Sequence, residues 1–172
     1  MRRKFSERLD FEPFEIRHAA SLMALWQSAE VRRYLFDDSL VDADEVYKAI
    51  SRSQTGFEKH GLGMWVLFPR GQNNLIGFAG FINVIDGAAE LMYGLRVDYW
   101  RRGLALEAAG AVTAIAFETD GIQAIIANVD RANAASQKLL VALDMTLDAA
   151  KSTQDPKCDH YELTRSAWAG VG

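Results

Sequence analysis

The chain has a single cysteine, Cys158, among 172 residues, so no intrachain disulfide can form. That scarcity fits a reducing compartment, and a cytoplasmic location is the expectation. No run of 18 apolar residues occurs, which leaves nothing to span a bilayer. The start, Met1-Arg2-Arg3-Lys4-Phe5, has basic residues without an apolar segment behind them and does not read as a secretory signal. Charge of one sign is scarce too. With 19 basic and 23 acidic residues the net charge is −4, which excludes the broad positive field of a nucleic-acid binder. The three histidines, His18, His60 and His160, lack metal-ligand spacing, so each reads as a surface or capping residue and no metal is expected. With three prolines, no linker-like stretch and no internal repeat, residues 1–172 read as one domain, which buries roughly 70% of the surface its unfolded chain exposes.

What is present is ordinary globular composition, 49% hydrophobic and 24% charged, arranged in readable periods. Ser6 to Phe14 reads as a short strand or extended arm, and Glu15 to Ala29 has near-helical apolar spacing. Val31 to Val41 mixes aromatics with acids and reads as a loop or short helix. Asp42 with Glu45 resembles a capping box opening a helix that ends near His60, before Gly61. Strands follow at Met64–Phe68 and Leu75–Val84, where Gly77 and Gly80 suggest close backbone contacts or a bulge. Asp86-Gly87 is a two-residue hairpin signal leading into a strand at Ala88–Val97. Leu104 to Thr119 is apolar nearly all round and reads as a buried helix. Gln123–Val129 reads as a strand, Asp130 to Asn133 as a turn into a helix, and Met145–Ala150 and Cys158–Thr164 as strands joined by a polar loop. Helices first, then a meander, then alternating elements make a mixed α/β sheet.

The most informative stretch is Val97-Asp98-Tyr99-Trp100-Arg101-Arg102-Gly103-Leu104-Ala105-Leu106-Glu107. An alternating apolar strand runs into a short basic Gly turn that opens directly into a helix. A helix start presents unpaired N–H groups backed by partial positive charge, and a glycine lets an anion approach them. This reads as an anion site for a nucleotide-like diphosphate. The Gly-x-x-x-x-Gly-Lys-Ser/Thr and Gly-x-Gly-x-x-Gly phosphate motifs are absent.

Tyr99-Trp100-Arg101-Arg102-Gly103-Leu104-Ala105-Leu106-Glu107-Ala108 resembles the acetyl-CoA-binding motif of GCN5-related N-acetyltransferases, in the branch containing the ribosomal-protein alanine N-acetyltransferases. Glu7-Arg8-Leu9, Leu75 to Gly80, Asn133 to Leu140, and His160 to Arg165 with Trp168 are similar to further segments of that branch, in the same order. There are departures. Leu140 stands where the superfamily often has a tyrosine acid, and Asp144 where a glycine is usual. The resemblance implies a mostly antiparallel sheet with helices on both faces and one splayed parallel strand pair, formed by Ala88–Val97 and Gln123–Val129. Gly94 is a candidate for the bulge at that splay.

The resemblance also implies site residues. The backbone of Leu95, Arg96 and Val97 would pair with the pantetheine arm of acetyl-CoA, and the N–H groups of Gly103, Leu104 and Ala105 would hold its pyrophosphate, as co-substrate. Arg101 and Arg102 either pair with the phosphates or are solvated. Asn133 would hydrogen-bond the cofactor arm or act as an N-cap, and the two roles are compatible. Ser136 either approaches the sulfur as proton donor or faces solvent. Glu90 is a candidate general base, because amide formation needs a neutral amine, or else a solvated strand acid. Glu107 reads as structural. Tyr34, Phe36, Trp26 and Met23 either line the acceptor pocket or serve core packing or loop anchoring. Cys158 reads as a small strand residue. The activity implied is acetyl transfer to a primary amine, either a small molecule or a protein N-terminus, by a monomer or homodimer. A non-catalytic acyl-CoA-binding module is the alternative.

Overall fold

The computed structural model describes residues 4–35 and 38–168. Eight strands form one sheet in the order β1-β2-β3-β4-β5-β6-β8-β7: β1 Lys4–Phe5, β2 Leu9–Pro13, β3 Met64–Pro69, β4 Gly77–Ile85, β5 Ala88–Leu95, β6 Ala124–Asp130, β7 Thr146–Leu147 and β8 Cys158–Thr164. Every neighbouring pair is antiparallel except β5 and β6. The helices are α1 Ala19–Trp26, α2 Ala29–Leu35, α3 Ala43–His60, α4 Leu104–Glu118, α5 Ala134–Ala142 and α6 Ala149–Gln154.

Strand alternation sorts the core into two layers. Met64, Val66, Phe68 and Phe78 face α1–α3, where they pack with Phe14, Leu22, Trp26 and Ile50. Trp65, Leu67, Ala79 and Phe81 face the other way, toward Ala108, Ala109, Val112 and Ala116 of α4. The small residues of α4 let it lie close against the sheet, which fits its nearly uniform apolar composition.

The main elements and the parallel pair match the expectation from sequence, and four details differ. The helical spacing over Glu15–Ala29 is split into a 3-10 turn at Ile16–His18 and α1, and α2 takes up the start of the Val31–Val41 segment. The strand expected over Met145–Ala150 is only two residues long. Asp148 accepts a hydrogen bond from the Lys151 N–H at 3.0 Å and caps α6, so local capping overrides the apolar pattern. Gly94 is not a bulge. The β4–β5 register runs unbroken from Gly77↔Leu95 to Phe81↔Leu91, and the irregularity falls on β4 between Phe81 and Asn83. Gly94 lacks a side chain because the Phe78 ring occupies its place, 2.8 Å from where a Cβ would sit. His18 is buried beside Phe68, its Nδ1 accepting from the Glu15 N–H at 3.2 Å, so it caps but does not lie on the surface.

Candidate functional site

β5 and β6 pair over only three residues, Ala88↔Ala124, Ala89↔Ile125 and Glu90↔Ile126, and then separate. Beyond Glu90, β5 stays on β4 and β6 stays on β8. A cleft opens between them, lined by Tyr93 on β5, Asn128 on β6, Asn133 and Ser136 at the start of α5, and Tyr34 on α2. Because the two strands are parallel, both C-terminal ends lie at one end of the sheet. The chain leaves each of them to begin a helix, α4 after β5 and α5 after β6. Crevices at such carboxyl ends are ready-made ligand sites.

The β5 backbone has groups to offer this cleft. The Arg96 N–H donates to the Ile76 carbonyl at 2.8 Å, which sets the phase of the β4–β5 ladder. By the two-residue alternation of an antiparallel pair, Gly94 and Met92 also bond β4, so the peptide groups of Leu91, Tyr93 and Leu95 point toward β6. The Leu95 carbonyl accepts from the Trp100 indole at 2.8 Å. Trp100 thereby folds the turn back onto the strand end. The Arg96 N–H is thus already used within the sheet. Val97 starts a 3-10 turn, and its N–H has no partner among the described residues.

The turn itself is shaped by two left-handed residues, Arg101 (φ 59°) and Gly103 (φ 75°). Such a conformation costs about 1–2 kcal/mol for a residue with a Cβ, so Arg101 is held there by its surroundings. Gly103 is the N-cap of α4 and has no side chain to cap it. Its carbonyl takes the Glu107 N–H at 3.0 Å, leaving the N–H groups of Leu104, Ala105 and Leu106 as the open first turn. Arg101 and Arg102 are exposed, and the Arg102 guanidinium lies 5.2 Å from the centre of the Tyr99 ring.

Glu107 is structural by a route the sequence did not disclose. Its carboxylate accepts from the Ser6 hydroxyl at 2.6 Å, the Arg8 N–H at 2.7 Å and Arg8 Nε at 2.7 Å, while Arg8 Nη1 donates to the Arg102 carbonyl at 2.9 Å. Burial opposes ionisation of Glu107, but these donors outweigh it and hold the carboxyl below its usual range. The N-terminal arm is therefore clamped to the glycine turn.

Asn133 caps α5, its Oδ1 accepting from the Ser136 N–H at 3.1 Å. The Ser136 hydroxyl has no hydrogen-bond partner among the described residues, and the Tyr93 hydroxyl reaches the Ser136 carbonyl at 3.5 Å. Burial pushes the Tyr93 phenol up to about 12, so it stays protonated at neutral pH. Leu140 is buried beneath the cleft. Sequence reasoning missed Tyr93, which lines the cleft where a tyrosine at 140 was sought. Of the proposed acceptor-side aromatics, Tyr34 lines the cleft. Trp26 is buried between Phe14 and Phe78, Met23 packs against that same core, and Phe36 lies outside the described residues.

Glu90 sits where the strands part. Its Oε2 accepts from Asn83 at 3.1 Å and its Oε1 from Asn128 at 2.8 Å. Asn128 Oδ1 lies 2.6 Å from His160 Nδ1, and His160 Nε2 lies 3.1 Å from Asp155 Oδ2. This polar chain was also invisible in the sequence. Among the described residues no group of His, Cys, Asp and Glu is placed to hold a metal ion, and no helix is long and apolar enough to cross a membrane.

Comparison with known proteins places this architecture. The chain is 30% identical to an uncharacterized N-acetyltransferase, YoaA, of Bacillus subtilis, over 80% of this chain and 79% of that protein. The fold is shared with an acetyltransferase from Agrobacterium tumefaciens, with a TM-score of 0.81 and 20% identity over 95% and 94% of the two chains. It is shared also with RimL, a ribosomal L7/L12 alpha-N-protein acetyltransferase solved in complex with coenzyme A, with a TM-score of 0.80 and 16% identity over 95% and 98%. Residues 8–146 match the acetyltransferase (GNAT) domain, from the Arg8 clamp through the splayed pair and α5 to the first residue of β7, and the chain belongs to that family.

Proposed function

We propose that this acetyltransferase moves the acetyl group of acetyl-CoA to a primary amine by direct attack while both are bound. The observation that carries the reading is the coincidence of two features at one end of the sheet: β5 and β6 part after Glu90, and α4 begins there with an uncapped glycine. An extended arm fits the cleft, because the peptide group of Tyr93 and the N–H of Leu95 turn toward it, the Leu95 carbonyl being held by Trp100. A pyrophosphate fits the N–H groups of Gly103, Leu104 and Ala105, with Arg101 and Arg102 at the rim. Acetyl-CoA supplies the activated thioester.

The chain's own residues then have separable tasks. The cleft aligns amine and thioester, the largest contribution open to a two-substrate site. A fixed β5 N–H meets the negative charge that grows on the carbonyl oxygen. Glu90, at the mouth of the splay, takes a proton from the incoming ammonium. Ser136, with Tyr93 behind it as a protonated phenol, is the candidate donor to the departing sulfur, and Asn133 orders that helix start.

RimL is an alpha-N-protein acetyltransferase of ribosomal L7/L12. That supports an amine acceptor here without choosing between a protein N-terminus and a small molecule. Thiol release from acetyl-CoA, followed against a panel of peptides and small amines, tests the reading. Turnover on at least one amine is expected. Acetyl-CoA binding without turnover on any amine would make the chain a binding module instead. In Glu90→Gln the rate falls about 100-fold and its pH dependence flattens while acetyl-CoA affinity holds. An unchanged pH–rate profile removes Glu90 from the chemistry.

A further inference from the structure

We infer that Asn128, His160 and Asp155 form a hydrogen-bonded relay behind Glu90 that lets one proton pass from the acceptor amine to solvent. The inference rests on the reading of Glu90 as base, but its physical content is the hydrogen-bond chain itself. That chain spans four residues drawn from β5, β6, β8 and the loop before β8: Glu90, Asn128, His160 and Asp155. Asn83 closes its other end on Glu90.

The donors and acceptors of the chain permit two consistent states. In the first, the Asn128 amide donates to ionised Glu90, and its oxygen accepts from His160 Nδ1–H. The other ring nitrogen faces the Asp155 carboxylate, so it must carry hydrogen as well, and His160 is an imidazolium. In the second, the Asn128 amide is rotated by 180°. Its oxygen then faces Glu90, which must be protonated to donate. Its NH2 faces His160 Nδ1, which must be bare, and the neutral ring donates Nε2–H to Asp155. With Asp155 ionised and any Glu90 proton carried on Oε1, every other distribution sets two acceptors or two donors against each other at 2.6–3.1 Å.

The two states hold the same total charge and the same number of protons. Moving from the first to the second, an N–H bond of the acceptor ammonium breaks and an O–H bond forms on Glu90. The Nδ1–H bond of His160 breaks, and that proton goes to water at the partly exposed ring, whose side chain is 22% accessible. Glu90 therefore accepts a proton without a change in net charge at the site. The amine's second proton leaves with the sulfur as the free thiol, so the overall reaction releases one proton. His160 and Asn128 act through Glu90 and are positioning residues, not catalytic ones.

Other groups around the chain are accounted for. Asp155 accepts from the Lys157 and Cys158 N–H groups, and these bonds, ahead of its contact with His160, hold its carboxyl below the usual range and keep it an acceptor. Arg131 is tied to the Asp155 and Ser152 carbonyls and paired with Asp159. Glu162 flanks His160 on the same face of β8, level with Ile126, which itself pairs with Glu90. Tyr34 of α2 lines the cleft beside Asn128.

The test is the imidazole titration of His160 in the full chain, followed by 15N NMR and assigned with His160→Gln. Removing the Glu90 charge in Glu90→Gln favours the rotated amide and the neutral ring, so the His160 midpoint moves about one unit to lower pH. Asn128→Leu severs the link: the same Glu90→Gln change, made in that background, leaves the midpoint where Asn128→Leu alone puts it. Asn128→Leu also lowers kcat about tenfold and alters the pH profile of kcat. A His160 midpoint that ignores Glu90→Gln overturns the relay. So does a coupled midpoint with an Asn128→Leu pH profile that matches the parent, because the chain is then only a brace between strands. An inert Glu90→Gln with the midpoint still shifted defeats the base reading while leaving the coupling in place.

Discussion

Helices α4 and α5 begin at the same end of the sheet, each just after one of the two parallel strands, yet their first turns are finished in opposite ways. At α5, Asn133 satisfies the Ser136 N–H with its own side chain. At α4, Gly103 offers none, and the N–H groups of Leu104, Ala105 and Leu106 are left open just after two exposed arginines. The long helix α3 follows the α5 pattern, with Asp42 accepting from the Glu45 N–H at 2.9 Å, and so does α6 with Asp148. A cap is worth about 1 kcal/mol, so an uncapped start on a buried, 15-residue helix gives up stability for an open donor set. On the proposed reading the site is divided: α4 would hold a ligand by its backbone, and α5 would present side chains to it.

The most direct way to break the comparison is to close the open start. Gly103→Asp places a carboxylate at the N-cap of α4, beside the open N–H groups proposed for the pyrophosphate and next to the Arg8 guanidinium. Repulsion of that kind raises the acetyl-CoA Kd by roughly two orders of magnitude in calorimetry. Asp bears the left-handed backbone better than most side chains and supplies the missing cap, so thermal stability falls by no more than about 1–2 kcal/mol. An unchanged Kd would mean that the first turn of α4 is not the anion site.

How much of this was legible in the chain follows from how far each signal reaches. Gly103, Asp42 and the Asp86-Gly87 hairpin act within a few residues, and each is where local pattern put it. The parallel pair was implied by a resemblance carried by several segments together, not by any one of them. The misreadings arose where a partner lies far away in sequence. Gly94 resembled a bulge because nothing local reveals that the Phe78 ring needs its space. The polar chain through His160, which read as a surface or capping residue, was not legible because Asn128, its cross-strand partner, is 32 residues away, and Glu90 lies 38 residues beyond that. Helix α6 was hidden for the opposite reason: its cap at Asp148 is local, but the apolar residues before it suggested a longer strand.

A second prediction sharpens the comparison by loosening the support of the open start. Glu107→Gln removes the charge that gathers Ser6 and Arg8 onto the turn. Because the folded-state carboxyl of Glu107 is held below its usual range, its contribution to stability is fully present above the unfolded value near 4.3 and is lost as pH falls through the folded value. In urea unfolding the parent therefore loses stability across that acidic window, and Glu107→Gln removes this part of the loss. At neutral pH the variant is less stable by about 1–2 kcal/mol and binds acetyl-CoA several-fold more weakly, as the Arg102 carbonyl loses the anchored Arg8. Equal acid sensitivity in parent and variant would show that the clamp does not contribute.

The smallest effect belongs to the closed start. Asn133→Ala deletes a cap and costs about 1 kcal/mol in unfolding, seen as a lower urea midpoint at constant slope. Deleting it frees the Ser136 N–H, which makes α5 more like α4. If the division of labour holds, acetyl-CoA affinity changes by less than about threefold, because the α5 first turn was not holding the phosphates. If affinity falls instead by the two orders of magnitude expected for Gly103→Asp, the side chain of Asn133 is itself a principal contact. The two helix starts would then share one ligand group rather than divide the site between backbone and side chain.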